Sequence, residues 1–129
     1  MILLDTHVLV WSQTRRKKLS RAADSAIRRA ARFGGLAISV ISVVEIAGLL
    51  KRGRLELHGS FESTINELVR DVAIRPITLD IAILTAELPS DFSNDPADRI
   101  IAATGRAEGL PLVTADQRML DCPLLKTIW

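Results

Sequence analysis

The sequence predicts an α/β fold: helices covering both faces of a central parallel sheet of about four or five strands, an α/β/α arrangement in three layers. Three observations carry this. Short apolar runs alternate with longer stretches of helical periodicity from one end of the chain to the other. The runs at 2–4, 36–40 and 110–114 are mostly apolar, as strands buried on both faces read. No repeat, low-complexity tract or linker interrupts the pattern, so the 129 residues read as a single domain, 1–129.

Each element has its own signal. Residues 2–4 (ILL) form the first strand, and Asp5 follows at once, placed to cap a short helix beginning near His7. Residues 20–33 set Ala23, Ile27, Ala30 and Ala31 on one helical face and arginines on the other, and Gly34-Gly35 stops the helix. Residues 36–40 (LAISV) are the second strand. Residues 42–52 are apolar almost all round, which fits a deeply buried helix or an interface. Ser42 and Glu45 match a capping box at its start. Residues 60–71 place Phe61, Ile65, Leu68 and Val69 at helical spacing. Residues 74–78 (IRPIT) read as a weaker strand, with Pro76 marking a sheet edge or a strand end. Residues 79–88 are helical in pattern, and 89–96 are the clearest loop. In the helix at 96–108, Asp95 suits the N-cap, Pro96 the first helical position and Asp98 the first turn. Residues 110–114 (LPLVT) form another strand, Asp116 suits the start of a short helix at 115–120, and 124–128 (LLKTI) form the last strand.

Composition narrows the function classes. Apolar residues make up 48% and charged residues 25%, ordinary globular usage that argues against disorder. Cys122 is the sole cysteine, which excludes an internal disulfide and a multi-cysteine zinc site. It precedes Pro123 and reads as a small buried residue. Aromatic residues are only 4% and there is no tyrosine, which weakens any model built on aromatic base stacking. The first residues carry no basic leader, and no run of 18 apolar residues occurs, so the expectation is a soluble, cytoplasmic protein with no membrane partner. The net charge of +2 hides an asymmetry. Residues 1–60 hold 11 lysines and arginines against 4 acids, whereas 61–129 hold 6 against 11. Basic clusters at 15–21, 28–32 and 51–54 suit a polyanion such as nucleic acid.

Acids gather where a parallel sheet binds ligands, outside the carboxyl ends of its strands. Asp5 follows the first strand and Asp116 follows LPLVT. Glu45 lies in the helix after LAISV, and Asp98 in the helix opened by Asp95-Pro96. Each has a plain explanation as a cap or a helix-start acid. Their joint placement asks for more, because crowded carboxylates need protons or a cation to neutralise them. A hard divalent ion does this with oxygen ligands and leaves room for phosphate oxygens. Such an ion activates water and stabilises the leaving oxygen in phosphodiester hydrolysis.

These residues carry a family resemblance. D-T at 5–6, S-x-x-E at 42–45, D-P-A-D-R-I-I-A-A-T at 95–104 and L-V-T-A-D at 112–116 resemble the PIN-domain ribonucleases. More narrowly, they resemble the toxin half of a bacterial VapBC-type toxin–antitoxin pair. The resemblance spans residues 2–128 and is most specific from Asp95 to Asp116. It implies a PIN-like fold and a metal-dependent endoribonuclease that cuts single-stranded or loop RNA. It further implies a homodimer and a cognate antitoxin that covers the active-site groove; helices 42–52 and 60–71 are candidate partner surfaces. Asp5, Glu45, Asp98 and Asp116 match the acidic quartet that binds Mg²⁺ or Mn²⁺, with Asp5 and Asp98 the surest ligands. Thr114 would orient water or an acid beside them, and Thr6 would hydrogen-bond nearby. His7 would donate to the site or touch RNA, against the plain reading of a helix-face histidine. Arg99 would reach a phosphate or a neighbouring acid. Asp95 reads as a helix cap rather than a ligand, and His58 as a surface loop residue.

Rivals from other classes fit less well. A receiver domain wants adjacent acids after its first strand and a lysine after its last, but Asp5 stands alone and Lys126 lies inside the final strand. A haloacid dehalogenase-type phosphatase wants D-x-D where this chain reads D-T-H. Glycine-rich phosphate loops and G-x-S-x-G are absent. The remaining alternative is a non-catalytic PIN-like module that binds RNA or protein, and the complete quartet argues against it.

Overall fold

A computed structural model describes residues 1–129. In chain order the elements are β1 (Ile2–Leu4), α1 (Thr6–Thr14), a 3₁₀ turn (Arg16–Lys18), α2 (Arg21–Arg32), β2 (Leu36–Ser39), α3 (Val40–Lys51) and α4 (Phe61–Leu68). There follow β3 (Val72–Arg75), α5 (Leu79–Glu87), α6 (Pro96–Glu108), β4 (Leu112–Val113), α7 (Gln117–Leu120) and β5 (Thr127–Ile128). The five strands form one sheet in the order β3-β2-β1-β4-β5, and every pair is parallel. The expected α/β/α fold with a central parallel sheet is therefore present.

Alternation along the strands builds the layers. Leu3 faces one side of the sheet and registers with Ala37 and Leu112. Those three residues join Ile101 and Ala102 of α6, Phe92 and Met119 in one buried core. Leu4, Ile38 and Val113, one residue further along each strand, face the opposite side and pack with α1, α2, α3 and α4 through Val8, Ile27, Ile46 and Leu68. A strand buried on both faces needs apolar residues at consecutive positions, and that is why the runs show no polar alternation.

The switch in strand order fixes the place of the site. From β1 the chain builds outward through β2 to β3, then returns so that β4 pairs with the other edge of β1. The loops leaving β1 and β4 therefore diverge and open a crevice at their carboxyl ends. Two glycines permit turns at the other, amino end of the sheet, ahead of β4 and β2. Gly109 closes α6 at φ 65°, a left-handed conformation that L side chains avoid. Gly34 turns at φ 93° into β2, and a Cβ there would meet the Met1 nitrogen at 2.7 Å.

Several elements depart from their sequence expectation. The third strand lies at 72–75 rather than 74–78, so Pro76 follows it. It is an edge strand, where a proline at its end does least harm. β4 and β5 are two residues each, cut back from 110–114 and 124–128. α3 begins at Val40, capped by Ser39, so Ser42 is no cap but a buried residue of the first helical turn. Of the two alternatives for this helix, burial on all sides or an interface, the first does not hold, with Val44 61% exposed. Ala31 and Phe61 are exposed as well, because the buried faces run through Ala23, Ile27 and Ala30 in α2 and through Thr64 and Leu68 in α4. Cys122 is buried. No helix is long and apolar enough to cross a membrane.

Candidate active site

Four segments deliver carboxylates to the crevice. Asp5 leaves β1 as the N-cap of α1 and accepts from the Thr6 amide at 2.8 Å. Its other oxygen accepts from the Thr114 hydroxyl, also at 2.8 Å, across the β1–β4 junction. Capping and facing the pocket are thus one posture. Burial pushes the Asp5 carboxyl above its usual range, against the pull of the Thr114 and Thr6 hydrogen bonds and of His7, while Asp116 pushes it the same way. Glu45 projects from α3, and its Oε1 lies 2.5 Å from the Thr6 hydroxyl, which also stands 2.8 Å from Ser42 Oγ. A hydroxyl has one proton, so Thr6 donates to Glu45 while Ser42 donates to Thr6. Burial raises Glu45 too, and the charges of Asp5 and Asp95 add to that, while the Thr6 bond opposes it.

The N-terminus of α6 supplies two more. Asp95 caps the helix by accepting from the Ala97 amide at 2.9 Å, with Pro96 next in line. Asp98, in the first turn, accepts from the Ser93 hydroxyl at 3.0 Å. That hydroxyl oxygen in turn accepts from the Asp95 amide at 3.1 Å, which ties the loop to the helix start. Burial pushes Asp98 up to about 6, reinforced by Asp95, Asp5 and Asp116 and opposed by Ser93. Its side chain keeps 16% exposure.

Asp116 caps α7 and accepts from the Arg118 amide at 2.9 Å. Burial would raise this carboxyl, but the hydrogen bonds and charge of Arg118 outweigh it and hold it below its usual range. The same guanidinium bridges the pocket, 3.1 Å from Asp116 Oδ2 and 3.2 Å from Asp98 Oδ2. One cation of the chain thus already sits between two of the crowded acids.

Asp5, Glu45, Asp98 and Asp116 line one pocket, together with Asp95, His7, Val8, Trp11, Ala115 and Arg118. Asp95 therefore caps and also faces the pocket as a fifth carboxylate. Thr6 and Thr114 stand behind it, each holding one acid. His7 is on its lip, exposed. Arg99 reaches neither phosphate space nor an acid. Its guanidinium donates to the carbonyls of Thr85, Leu88, Pro89 and Ser93. It thus clamps the 85–93 segment from the side of α6 turned away from the pocket.

The description of the PIN domain fits residues 2–123 of this chain. The chain belongs to the PIN domain family. It is 38% identical to Ribonuclease VapC22 of Mycobacterium tuberculosis (strain ATCC 25618 / H37Rv), over 99% of this chain and 98% of that protein. Solved structures share the PIN fold. VapBC2 from Rickettsia felis, bound to a DNA fragment from its promoter, matches with a TM-score of 0.74 at 19% identity, over 98% of this chain and 97% of that one. A toxin–antitoxin complex from Klebsiella pneumoniae matches with a TM-score of 0.70 at 23% identity, over 97% and 95%.

The donor set of this PIN domain suits a divalent ion held largely through water. All the candidate ligands are carboxylate oxygens, as a hard cation requires. Three of the four are pushed toward protonation by burial and by one another, so a cation would relieve them. No three of them stand close enough to ligate one ion directly. Mg²⁺ takes one or two carboxylates and keeps several waters, so the set fits it in that mode. Sequence reasoning missed Ser93 and Arg118. Ser93 left a signal, a Ser-Asn-Asp turn ahead of a helix cap, but Arg118 left none beyond standing two residues after Asp116.

Proposed function

We propose that this chain is a metal-dependent endoribonuclease, the toxin of a toxin–antitoxin pair, which hydrolyses RNA phosphodiesters at the acidic pocket. One observation carries the reading: four separate segments bring Asp5, Glu45, Asp98 and Asp116 to a single crevice where the sheet changes direction. The 38% identical relative is named a ribonuclease, which supports the same activity here. The charge of the first half of the chain agrees. Of the eleven lysines and arginines in residues 1–60, only Arg16 and Arg28 have a carboxylate partner, the shared Asp24. The others are free to meet a phosphate backbone.

Asp5 and Asp98 would hold Mg²⁺ or Mn²⁺, with Glu45 and Asp116 completing the set through water. When bound, the ion supplies Lewis-acid activation of water and stabilises charge on the leaving oxygen. The chain's own residues supply the geometry. Thr114 fixes the Asp5 carboxylate, Thr6 fixes Glu45 and Ser93 fixes Asp98. Such supporting bonds orient ligands and tune their basicity. Arg118 neutralises Asp98 and Asp116 and stands where a scissile phosphate would pass.

Two partners complete the proposal. One is an antitoxin, consistent with the toxin–antitoxin complexes that share the fold. The other is a second copy of this chain, seated on the exposed apolar residues of β3 and α5. The deciding experiment is RNA cleavage by purified protein in Mg²⁺, in chelator, and by the Asp98→Asn variant. Cutting that needs metal and vanishes in the variant supports the reading. Full activity in Asp98→Asn overturns the site. Absence of both cleavage and Mn²⁺ binding favours the non-catalytic binding module.

A further inference from the structure

The pocket has a second wall that the acidic chemistry leaves unused. His7 and Trp11 both line it. They stand four residues apart on one face of α1, about 6 Å along the helix axis. Their ring centroids are 6.0 Å apart with planes at 53°. Trp129 continues the row, 6.2 Å from Trp11 at 55°. The Lys18 ammonium stands 5.4 Å from the Trp11 ring centroid. The chain has only two tryptophans and no tyrosine, yet the fold brings both tryptophans to this one place from opposite ends of the sequence.

Core packing explains part of this. Trp11 and Trp129 each rest one side on the core beneath α1. It does not explain His7, which is exposed, or why Trp11 faces the carboxylates. We propose that His7 and Trp11 form a stacking wall for an unpaired base of the RNA strand whose backbone crosses the acidic pocket, with Lys18 meeting an adjoining phosphate. This rests on the nuclease reading and adds to it the residues that select the substrate's form. A nucleotide whose phosphate lies over Asp5, at the start of α1, reaches His7 first and Trp11 one helical turn further. Every base has a π-face, so such a wall tolerates sequence while requiring that the base be unstacked. Bases in a duplex are not, so the wall favours single strands and loops. A cation over an indole ring is itself favourable, so Lys18 keeps its place until a phosphate competes for it.

The test uses the full chain carrying Asp98→Asn, which leaves RNA intact, in low salt. The probes are an adenosine octaribonucleotide and an abasic strand of the same length. Trp11 belongs to the wall and Trp129 stands against it, so intrinsic fluorescence reports on the wall. The octaribonucleotide is expected to quench the signal strongly, and the abasic strand, which offers only phosphates to Lys18, to change it far less. Adding His7→Ala or Trp11→Leu should each weaken octaribonucleotide binding roughly tenfold. Mn²⁺ affinity of Trp11→Leu, measured with Asp98 restored, should not change. His7 is exposed, so its variant keeps the test valid even where Trp11→Leu fails to fold. Abasic binding as tight as that of the octaribonucleotide, or unweakened binding by His7→Ala, overturns the wall. Mg²⁺-dependent cleavage by the unsubstituted chain without any quenching overturns the wall alone. Quenching without any cleavage overturns the nuclease reading and supports the wall as an RNA-binding surface.

Discussion

Asp98 carries the heaviest electrostatic load in the pocket, and its titration can be read from stability. Its carboxyl is pushed from 3.8 to about 6 by burial and by neighbouring acids. The protonated form is therefore favoured in the folded chain more than in the unfolded one. The resulting stabilisation is full below about 3.8, is lost as pH rises through about 6, and is absent at neutrality. In chelator, the difference in melting temperature between the parent and Asp98→Asn should widen in the variant's favour from pH 5 to pH 7.5. An unchanged difference would show that Asp98 is not raised. The same proton competes with a metal, so Mn²⁺ affinity should fall steeply below pH 6. Asp98→Asn should lower cleavage by more than roughly 100-fold, whereas Ser93→Ala, which frees the carboxylate without removing it, should cost roughly tenfold in Mn²⁺ affinity. Cleavage rates and a Mn²⁺ titration check both. That Asp5, Asp98 and Asp116 lie at one pocket was legible in the sequence because each follows a strand or opens a helix, which is local information, whereas Glu45 lies inside α3 and was legible through the S-x-x-E motif. Arg118 was not, since its bridge between Asp98 and Asp116 depends on the path of two loops. Arg99 looked equally suited to an acid or a phosphate, and only the fold of residues 85–93 shows that carbonyls consume it.

The start of α6 does two jobs with one residue, and substitution separates them. Asp95 caps the helix and adds negative charge beside Asp98. Asn caps as well as Asp, whereas Ala does not. Asp95→Ala should therefore cost about 1 kcal/mol, roughly 3–5 °C in a chain of this size. Asp95→Asn should melt close to the parent while shifting the Asp98 titration downward. Thermal melts paired with NMR titration of Asp98 would check this, and an Asp95→Asn variant as destabilised as Asp95→Ala would show that charge, not capping, holds the helix start. The sequence announced this helix clearly because a cap, a proline and an acid stand in consecutive register. Elements lacking such signals were placed less well. β4 and β5 pair over two residues each, so their limits come from the neighbouring strand rather than from their own apolar runs. Val72–Arg75 is a strand because it pairs with Leu36–Ser39, a partner that no local pattern reveals. Ser42 matched a capping box, but Ser39 caps α3 and Ser42 instead meets Thr6 inside the helix's first turn.

At the scale of the whole molecule, two cores on either side of one sheet satisfy most of the apolar sequence but leave one face bare. Helix α5 is apolar almost all round, yet only Ile81 is buried. Leu79 is 76% exposed and Ile83 51%, and Ile74 and Ile77 just before them are also exposed. These residues follow or belong to β3, an edge strand with one unpaired side. A single chain cannot cover such a face, and patches of this kind on small proteins mark interaction sites. A second copy is the simplest occupant, because a twofold contact lets the same patch cover itself. The periodicity of α5 was readable in the sequence, but not its exposure, since a helix apolar on all sides is equally consistent with a deep core. Leu79→Glu and Ile83→Glu each place a charge in that face without touching the core or the acidic pocket. Each should convert a dimer to a monomer in sedimentation equilibrium at micromolar concentration, with the helical signal and Mn²⁺ affinity preserved. If the unsubstituted chain sediments as a monomer, self-association is wrong and the patch awaits a different protein. If both variants stay dimeric, the dimer forms through another face, and the bare side of α3 around Val44 becomes the next surface to test.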